Sequence, residues 1–395
     1  MDLGFDPKPQ CVTADDLVAL SERSGRMLQK IRDSMLQPHP RKEAPIFPSN
    51  KLQALCGIDK TKMNYNLKSG RLPQGQQDAP GRMRKFTLAE TIEWTKAMLK
   101  PPARPEGKRG KIITVGNFKG GVTKTTTSTI LAQGLTLRRG RKVLLVDLDP
   151  QGSTTTLFGI NPHAEVDAEA TVLPVIEGTQ PDLLYAPQKT YWDNLDLIPS
   201  STDLFNAEFL LPAKVHTNDA NFEFWSVLEK ALDPLRDEYD YIILDTAPTL
   251  SYLTINALFA ADSIIVPVVP DTLSFASMAQ FWSLFSDLVQ GMRRFNGDAK
   301  VGKTFDYVDV LITRIPNKPA AMIVRDWIIK TYGDRVLPVS IPETDLIRTT
   351  SNEFKTIYDM PNYEGSADAY RRICDPYDQF VDHIDQKTCQ IWGAT

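Results

Sequence analysis

Cysteine is scarce in this chain, and where it occurs it forms no pattern. Cys11, Cys56, Cys374 and Cys389 are the four, and no two make a CxxC pair. That argues against a zinc ribbon or a disulfide framework and leaves reduced, structural thiols as the expectation. The four histidines, His39, His163, His216 and His383, are as scattered and give no metal-ligand spacing. No run of eighteen apolar residues exists, so no segment is expected to span a bilayer. The opening MDLGFDPKPQ lacks the charged-then-apolar order of a signal peptide. A cytoplasmic location is the expectation. Internal repeats are absent too, as is low-complexity sequence outside two proline-rich linkers.

What is present is an ordinary soluble balance, 42% hydrophobic and 24% charged, over 395 residues. That length exceeds one ordinary core and implies two or three domains. The net charge of −4 hides an asymmetry. Residues 1–110 hold 20 Lys/Arg against 12 Asp/Glu, and the remainder holds 25 against 37. A basic front part suits contact with an anion such as nucleic acid, although a solvated basic face has the same composition.

Residues 13–36 read as a helix. Thr13 and Asp16 form a capping-box pair, and Leu17, Leu20, Met27, Leu28, Ile31 and Met35 recur on one stripe. The stripe has no core of its own, so it packs on a partner subunit or on the body; dimerisation is the favoured reading. With its linker this segment makes a first unit, 1–46. A second unit, 47–104, reads as helix, turn at Gly57, second helix, then a basic hairpin. The second helix carries Lys62 and Asn64, groove-reading and phosphate-touching residue types, and the hairpin carries Arg82 and Arg84. The segment resembles the winged helix domains of MerR-like regulators, which implies DNA binding.

From residue 105 to 395 the grammar is α/β. Apolar, β-rich runs (KIITV, KVLLVDLD, YIILDTA, SIIVPVV, VDVLIT) alternate with helical stretches. Nearly continuous apolar runs mark buried parallel strands, and helices between them imply a doubly wound, mainly parallel sheet.

Directly after KIITVGN comes KGGVTKTT, Lys119 to Thr126. A strand, a glycine turn and a helix opening at Lys-Thr make a phosphate cradle. Gly120 and Gly121 let the backbone approach phosphates, Val122 and Thr123 complete the loop, Lys124 supplies charge at the β- and γ-phosphates, and the Thr125 hydroxyl suits Mg2+, with Thr126 behind it. Asp245 ends the strand YDYIILD at the sheet edge where Mg2+ belongs. Thr123 stands where an ordinary P-loop has glycine. With Lys119 the motif becomes KGGxxK[ST], and VLLVDLDPQGS and YIILDTAP follow in order.

Those motifs resemble the ParA/MinD family of deviant Walker A ATPases, over roughly residues 111–360. The resemblance implies ATP/ADP and Mg2+ as cofactors and a homodimer in which Lys119 reaches the partner's nucleotide. It implies that Asp149 orients the attacking water, that Asp147 supports the metal shell, and that Gln151 lies in the loop sensing the γ-phosphate. Near SIPETD, Pro342 and Glu343 fall where the family makes adenine contacts. The domain order is similar to that of long plasmid-type ParA proteins. It implies an ATP-dependent, nucleoid-associated dimer that segregates a plasmid or secondary chromosome, works with a ParB-like centromere-binding protein and represses its own operon through 47–104. Non-specific DNA contact is expected on the ATPase domain, with Arg325 and Arg348 as candidates. Two alternatives stand beside this: a nucleotide-sensing repressor without a segregation role, and a MinD-like membrane-cycling ATPase. The latter needs a basic amphipathic C-terminal helix, and this C-terminus is acid-rich. An iron–sulfur reductase of the same superfamily would need cysteines between Cys56 and Cys374, where none occurs.

Overall fold

A computed structural model describes residues 13–36, 41–79, 81–217, 222–295, 303–347, 353–361 and 365–394. The chain divides into two compact units, 1–42 and 43–395. The first contains helix α1, Ala14–Leu36. Its start is the anticipated capping box: the Asp16 carboxylate accepts from the Thr13 N–H at 2.8 Å, and the Thr13 hydroxyl accepts from the Asp16 N–H at 3.2 Å. Leu17, Leu20, Met27 and Ile31 are solvent-exposed along it.

The second unit opens with a small helical layer: α2 (Ser49–Cys56), α3 (Lys60–Ser69) and α4 (Leu88–Leu99). Gly57 closes α2 in the left-handed region, φ 61°, where glycine turns the chain without a Cβ clash. Strands β1 (Phe47–Pro48) and β2 (Lys85–Phe86) pair antiparallel, and Lys85 also bridges Gln76. Thr87 and Glu90 cap α4 reciprocally. Leu52, Cys56, Met63, Phe86 and Trp94 form the layer's own core.

The rest is an eight-stranded sheet with helices on both faces. Its strands are β3 (Lys111–Val115), β4 (Val143–Asp147), β5 (Gln188–Lys189), β6 (Leu195–Ile198), β7 (Tyr241–Asp245), β8 (Ser263–Val268), β9 (Tyr307–Ile315) and β10 (Val336–Pro342). The order is β10-β9-β8-β3-β7-β4-β6-β5, parallel except for β5 against β6. The helices are α5 (Lys124–Arg139), α6 (Ser153–Leu157), α7 (Leu173–Glu177), α8 (Ala207–Thr217), α9 (Val227–Leu232), α10 (Leu235–Glu238), α11 (Tyr252–Ala260), α12 (Thr272–Phe295), α13 (Pro319–Tyr332) and α14 (Ala367–Trp392). Strands β4, β7 and β8 are buried along their whole length, which is why they read as unbroken apolar runs.

Helix α5 lies under the sheet and against α14. A Cβ on Gly134 would meet Val381 of α14 at 2.5 Å, so the two helix backbones approach too closely for any side chain there. Three arginines at and just beyond the end of α5 meet three aspartates of α14: Arg138 with Asp378 and Asp382, Arg139 with Asp382, Arg141 with Asp385. The small layer rests on the same helix. Phe47, Leu88 and Ile92 share one apolar cluster with Leu131, Leu135, Ile373 and Tyr377, and the Thr95 hydroxyl donates to the Leu137 carbonyl at 2.7 Å. The segment 101–110, which composition marks as a linker, is anchored: Arg104 donates to the Arg236, Asp237 and Tyr239 carbonyls.

Candidate functional site

The central strand β3 ends between β7 and β8, at the point where the strand order reverses. Loops leaving the carboxyl ends of β3, β4 and β7 converge there. Residues 119–123 turn the chain from β3 into α5, whose first residue is Lys124. A Cβ on Gly120 or Gly121 would meet no protein atom within 4 Å. At Gly120 the fold itself therefore makes no demand for glycine, and the loop surface there is open to solvent. Gly121 is additionally at φ 74°. Thr123 adopts φ 73°, ψ 23°, a left-handed conformation that a branched residue takes only when its surroundings impose it.

Lys124 is buried, and its ammonium donates to the Lys119 carbonyl at 3.0 Å. Burial lowers its pKa, opposed by Asp245 and Asp149. Such an ammonium gains from any anion that enters the loop. Lys119 turns away: its Nζ donates to the Ser274 hydroxyl at 2.6 Å and to Asp271 at 3.2 Å.

Asp147 and Asp245 are register partners on adjacent strands, both fully buried. Asp245 accepts from the hydroxyls of Thr125 (2.8 Å), Ser128 (3.0 Å) and Thr154 (2.8 Å). Asp147 accepts from the N–H and hydroxyl of Thr155, both at 2.8 Å, and from the Asp149 N–H at 3.2 Å. Burial raises the pKa of both carboxyls, and for Asp147 the neighbouring Asp245 adds to it. Two buried carboxyls side by side form a place where a cation is favoured. Yet among the described residues no group of three or more His, Cys, Asp or Glu could hold a metal unaided. Mg2+ takes one or two protein oxygens and draws its remaining ligands from phosphate and water. Thr125 and Asp245 are the pair in position.

Asp149 follows at the loop mouth, half-buried, its Oδ1 accepting from the Gln151 N–H at 3.0 Å. Gln151 itself is exposed. Gly152, at φ 63°, is fixed by close approach, since a Cβ would meet Pro162 at 2.6 Å. Pro342 ends β10 and Glu343 follows it. Glu343 pairs with Arg314 at 3.3 Å, and Arg314 also donates to the Gly121 carbonyl at 3.1 Å. Thus Lys119–Thr126, Asp147, Asp149, Gln151, Asp245 and Glu343 border one edge of the sheet.

Two residues here escape a sequence reading. Asn117 orders the loop, accepting from the Lys119 N–H at 3.0 Å and donating to the Pro267 carbonyl at 2.9 Å. Arg314 ties the loop to β10. Neither has a spacing signal, because the anchors that give them their role, Pro267 for Asn117 and Gly121 for Arg314, are distant in sequence. The DNA candidates lie elsewhere. Lys62 and Asn64 are exposed on α3, and Arg82 is exposed on the hairpin. Arg84 is half-buried and donates to the Gln74 carbonyl, so part of its donor capacity holds the hairpin. Arg325 is half-buried on α13. Arg348 lies outside the described residues.

Residues 110–296 match the family model described as an AAA domain. SopA of Escherichia coli K12 is 29% identical over 339 residues, 84% of this chain and 85% of that protein. The sporulation initiation inhibitor protein Soj of Bacillus subtilis is 39% identical over 234 residues, 59% of this chain and 84% of Soj. A solved structure titled as a partition protein superposes with a TM-score of 0.64 at 16% identity, covering 96% of this chain and 98% of that one, which shows a shared fold. Among the described residues no helix is long and apolar enough to cross a membrane. With the deviant loop, the aspartate pair and the relation to Soj together, the chain belongs to the ParA/MinD family and is a ParA-type partition ATPase.

Proposed function

We propose that this chain binds ATP with Mg2+ at Lys119–Thr126, hydrolyses it as a dimer, and uses the ATP state to hold DNA during segregation of a plasmid or secondary chromosome. The observation that carries this reading is the convergence of Lys124, Thr125, Asp149 and Asp245 at one sheet edge beside a glycine loop open to solvent. Loop N–H groups and the start of α5 face the phosphates, and Lys124 leaves the Lys119 carbonyl for them. When bound, Mg2+ would supply positive charge that offsets that of the phosphates. Thr125 and Asp245 would hold it, with Asp147 in support. Asp149 accepts a hydrogen bond from the water and aims it in line; phosphoryl transfer needs positioning more than a strong base. Gln151 reads the γ-phosphate, and Pro342 and Glu343 border the base.

Lys119 acts on the partner protomer's nucleotide. For that it must release Asp271 and Ser274. The exposed apolar stripe of α1 pairs with a second copy. Residues 47–104 read operator DNA through α3 and the basic hairpin, with Lys62, Asn64, Arg82 and Arg84 as contacts, and so repress the operon. Non-specific DNA contact, and with it the nucleoid location, falls to Arg325, Arg348 and their neighbours. Two protomers side by side raise its avidity. A ParB-like partner stimulates turnover.

The test is Asp149→Ala: nucleotide binding is retained and turnover is lost, whereas Lys124→Ala weakens binding itself. Native turnover by Asp149→Ala would refute the assignment of the water-orienting group.

A further inference from the structure

Asp149 can aim a water only if its backbone is held still, and the structure closes a ring of hydrogen bonds around that backbone. Asp147 Oδ1 accepts from the Asp149 N–H at 3.2 Å, and Asp147 Oδ2 accepts from the Thr155 hydroxyl at 2.8 Å. The Thr155 oxygen in turn accepts from the Ser200 N–H at 2.9 Å, and the Ser200 hydroxyl donates to the Asp149 carbonyl at 2.6 Å. Asp147, Thr155 and Ser200 are all fully buried. The ring's two inner bonds, Thr155 to Asp147 and Ser200 N–H to Thr155, are buried and stronger for that, while the two to the half-buried Asp149 lie at the rim. Ser200 is its one member contributed from another part of the sheet: it lies two residues beyond β6, on the far side of β4 from the phosphate loop.

We propose that Ser200 is a positioning residue for hydrolysis, fixing the loop from which Asp149 projects; this rests on the reading of Asp149 as the group that orients water. Three features make the role positional. Ser200 touches only the backbone of Asp149, so it leaves the carboxylate free for the water. The Asp149 carbonyl keeps a second donor, the Gly152 N–H at 2.8 Å, so losing the hydroxyl loosens the loop without unravelling it. The groups assigned to the phosphates and Mg2+, Lys124, Thr125 and Asp245, do not depend on Ser200 for any hydrogen bond. Loosening should consequently separate turnover from nucleotide affinity.

The experiment compares wild type, Ser200→Ala, Asp149→Ala and the double variant. It measures steady-state ATPase kcat and KM, the Kd of a fluorescent ATP analogue, and the thermal unfolding midpoint. A misplacement of about 1 Å costs on the order of 100-fold in rate, so Ser200→Ala is expected to lower kcat about 10- to 100-fold with Kd within about twofold. The double variant should turn over no slower than Asp149→Ala alone, because no carboxylate remains to be positioned. Ser200→Thr, which keeps the hydroxyl, should recover most of the rate. A kcat within about threefold of wild type overturns the proposal, as does a parallel loss of Kd, or a full additional loss in the double variant. Should Ser200→Ala not fold, Thr155→Val cuts the same ring with an isosteric side chain and is read by the same measurements. A dead Asp149→Ala beside a fast Ser200→Ala overturns the inference alone; native turnover by Asp149→Ala overturns the underlying reading and the inference with it.

Discussion

Thr123 stores free energy in the phosphate loop, and a three-member series measures how much. The residue sits at φ 73°, ψ 23°, at the foot of α5. A left-handed conformation costs an L-residue about 1–2 kcal/mol, and branching at Cβ places threonine at the upper end. Replacement by glycine removes that cost but adds about 0.4–1 kcal/mol of chain entropy in the unfolded state. Little else is lost: the Thr123 hydroxyl lies 3.4 Å from the Thr127 hydroxyl, the outer edge of a hydrogen bond. The net expectation is that Thr123→Gly stabilises the nucleotide-free protein by about 1 kcal/mol, with Thr123→Ala between glycine and wild type. For a chain of this size that is a rise of roughly 1–3 °C in unfolding midpoint. Scanning calorimetry and urea titration, both without nucleotide, read the order Thr, Ala, Gly. A glycine variant less stable than wild type would show that the threonine side chain contributes more than its backbone costs.

Arg141 and Asp385 form a pair whose side chains are 4% and 3% exposed. Arg141→Ala should cost up to about 3–5 kcal/mol, because it removes the main cation from a buried carboxylate that keeps the Tyr241 hydroxyl and, at 3.9 Å, Arg139, while Arg141→Met with Asp385→Leu should cost far less; urea denaturation separates the two. Burial pushes Asp378 up to about 6 against the opposing pull of Arg138. The folded state then holds a proton that the unfolded state has released, so this group's contribution is full below about pH 4 and is lost as pH rises through 6. Asp378→Asn should remove that loss, so that variant-minus-wild-type stability climbs between about pH 4 and 6 at no more than about 1.4 kcal/mol per unit; a falling difference refutes it. Gly134→Ala would place a Cβ 2.5 Å from Val381 and should destabilise by about 1–3 kcal/mol in thermal unfolding.

The strands of the sheet centre were legible because burial on both faces leaves no polar alternation to confuse the pattern. The phosphate loop was legible because its chemistry is local: glycines, lysine and threonine act where they stand. Legibility fails where partners are far apart in sequence. Ser200, Asn117 and Arg314 are polar residues in or beside strands, and only the sheet order shows what they hold. The acid-rich C-terminus gave a charge but not a role. In the fold its aspartates face the arginines of α5, and the same helix buries Ile373, Tyr377, Phe380 and Trp392. Segment 101–110 misleads in the other direction. Proline and glycine there mark a boundary in composition, but Arg104 and Arg109 fasten it to the body.

The seat of the small helical layer on α5 has a consequence for handling this protein. Phe47, Leu88 and Ile92 on one side and Leu131, Leu135 and Tyr377 on the other bury one another. A chain shortened to begin near residue 105 would bare that apolar surface to water, and the excised layer would bare its counterpart. Both fragments are then prone to aggregate, and neither has reason to melt independently within the whole. Loss of DNA binding or of turnover on truncation would therefore report insolubility before it reported function. Substitutions at exposed positions of α3 leave the shared surface covered.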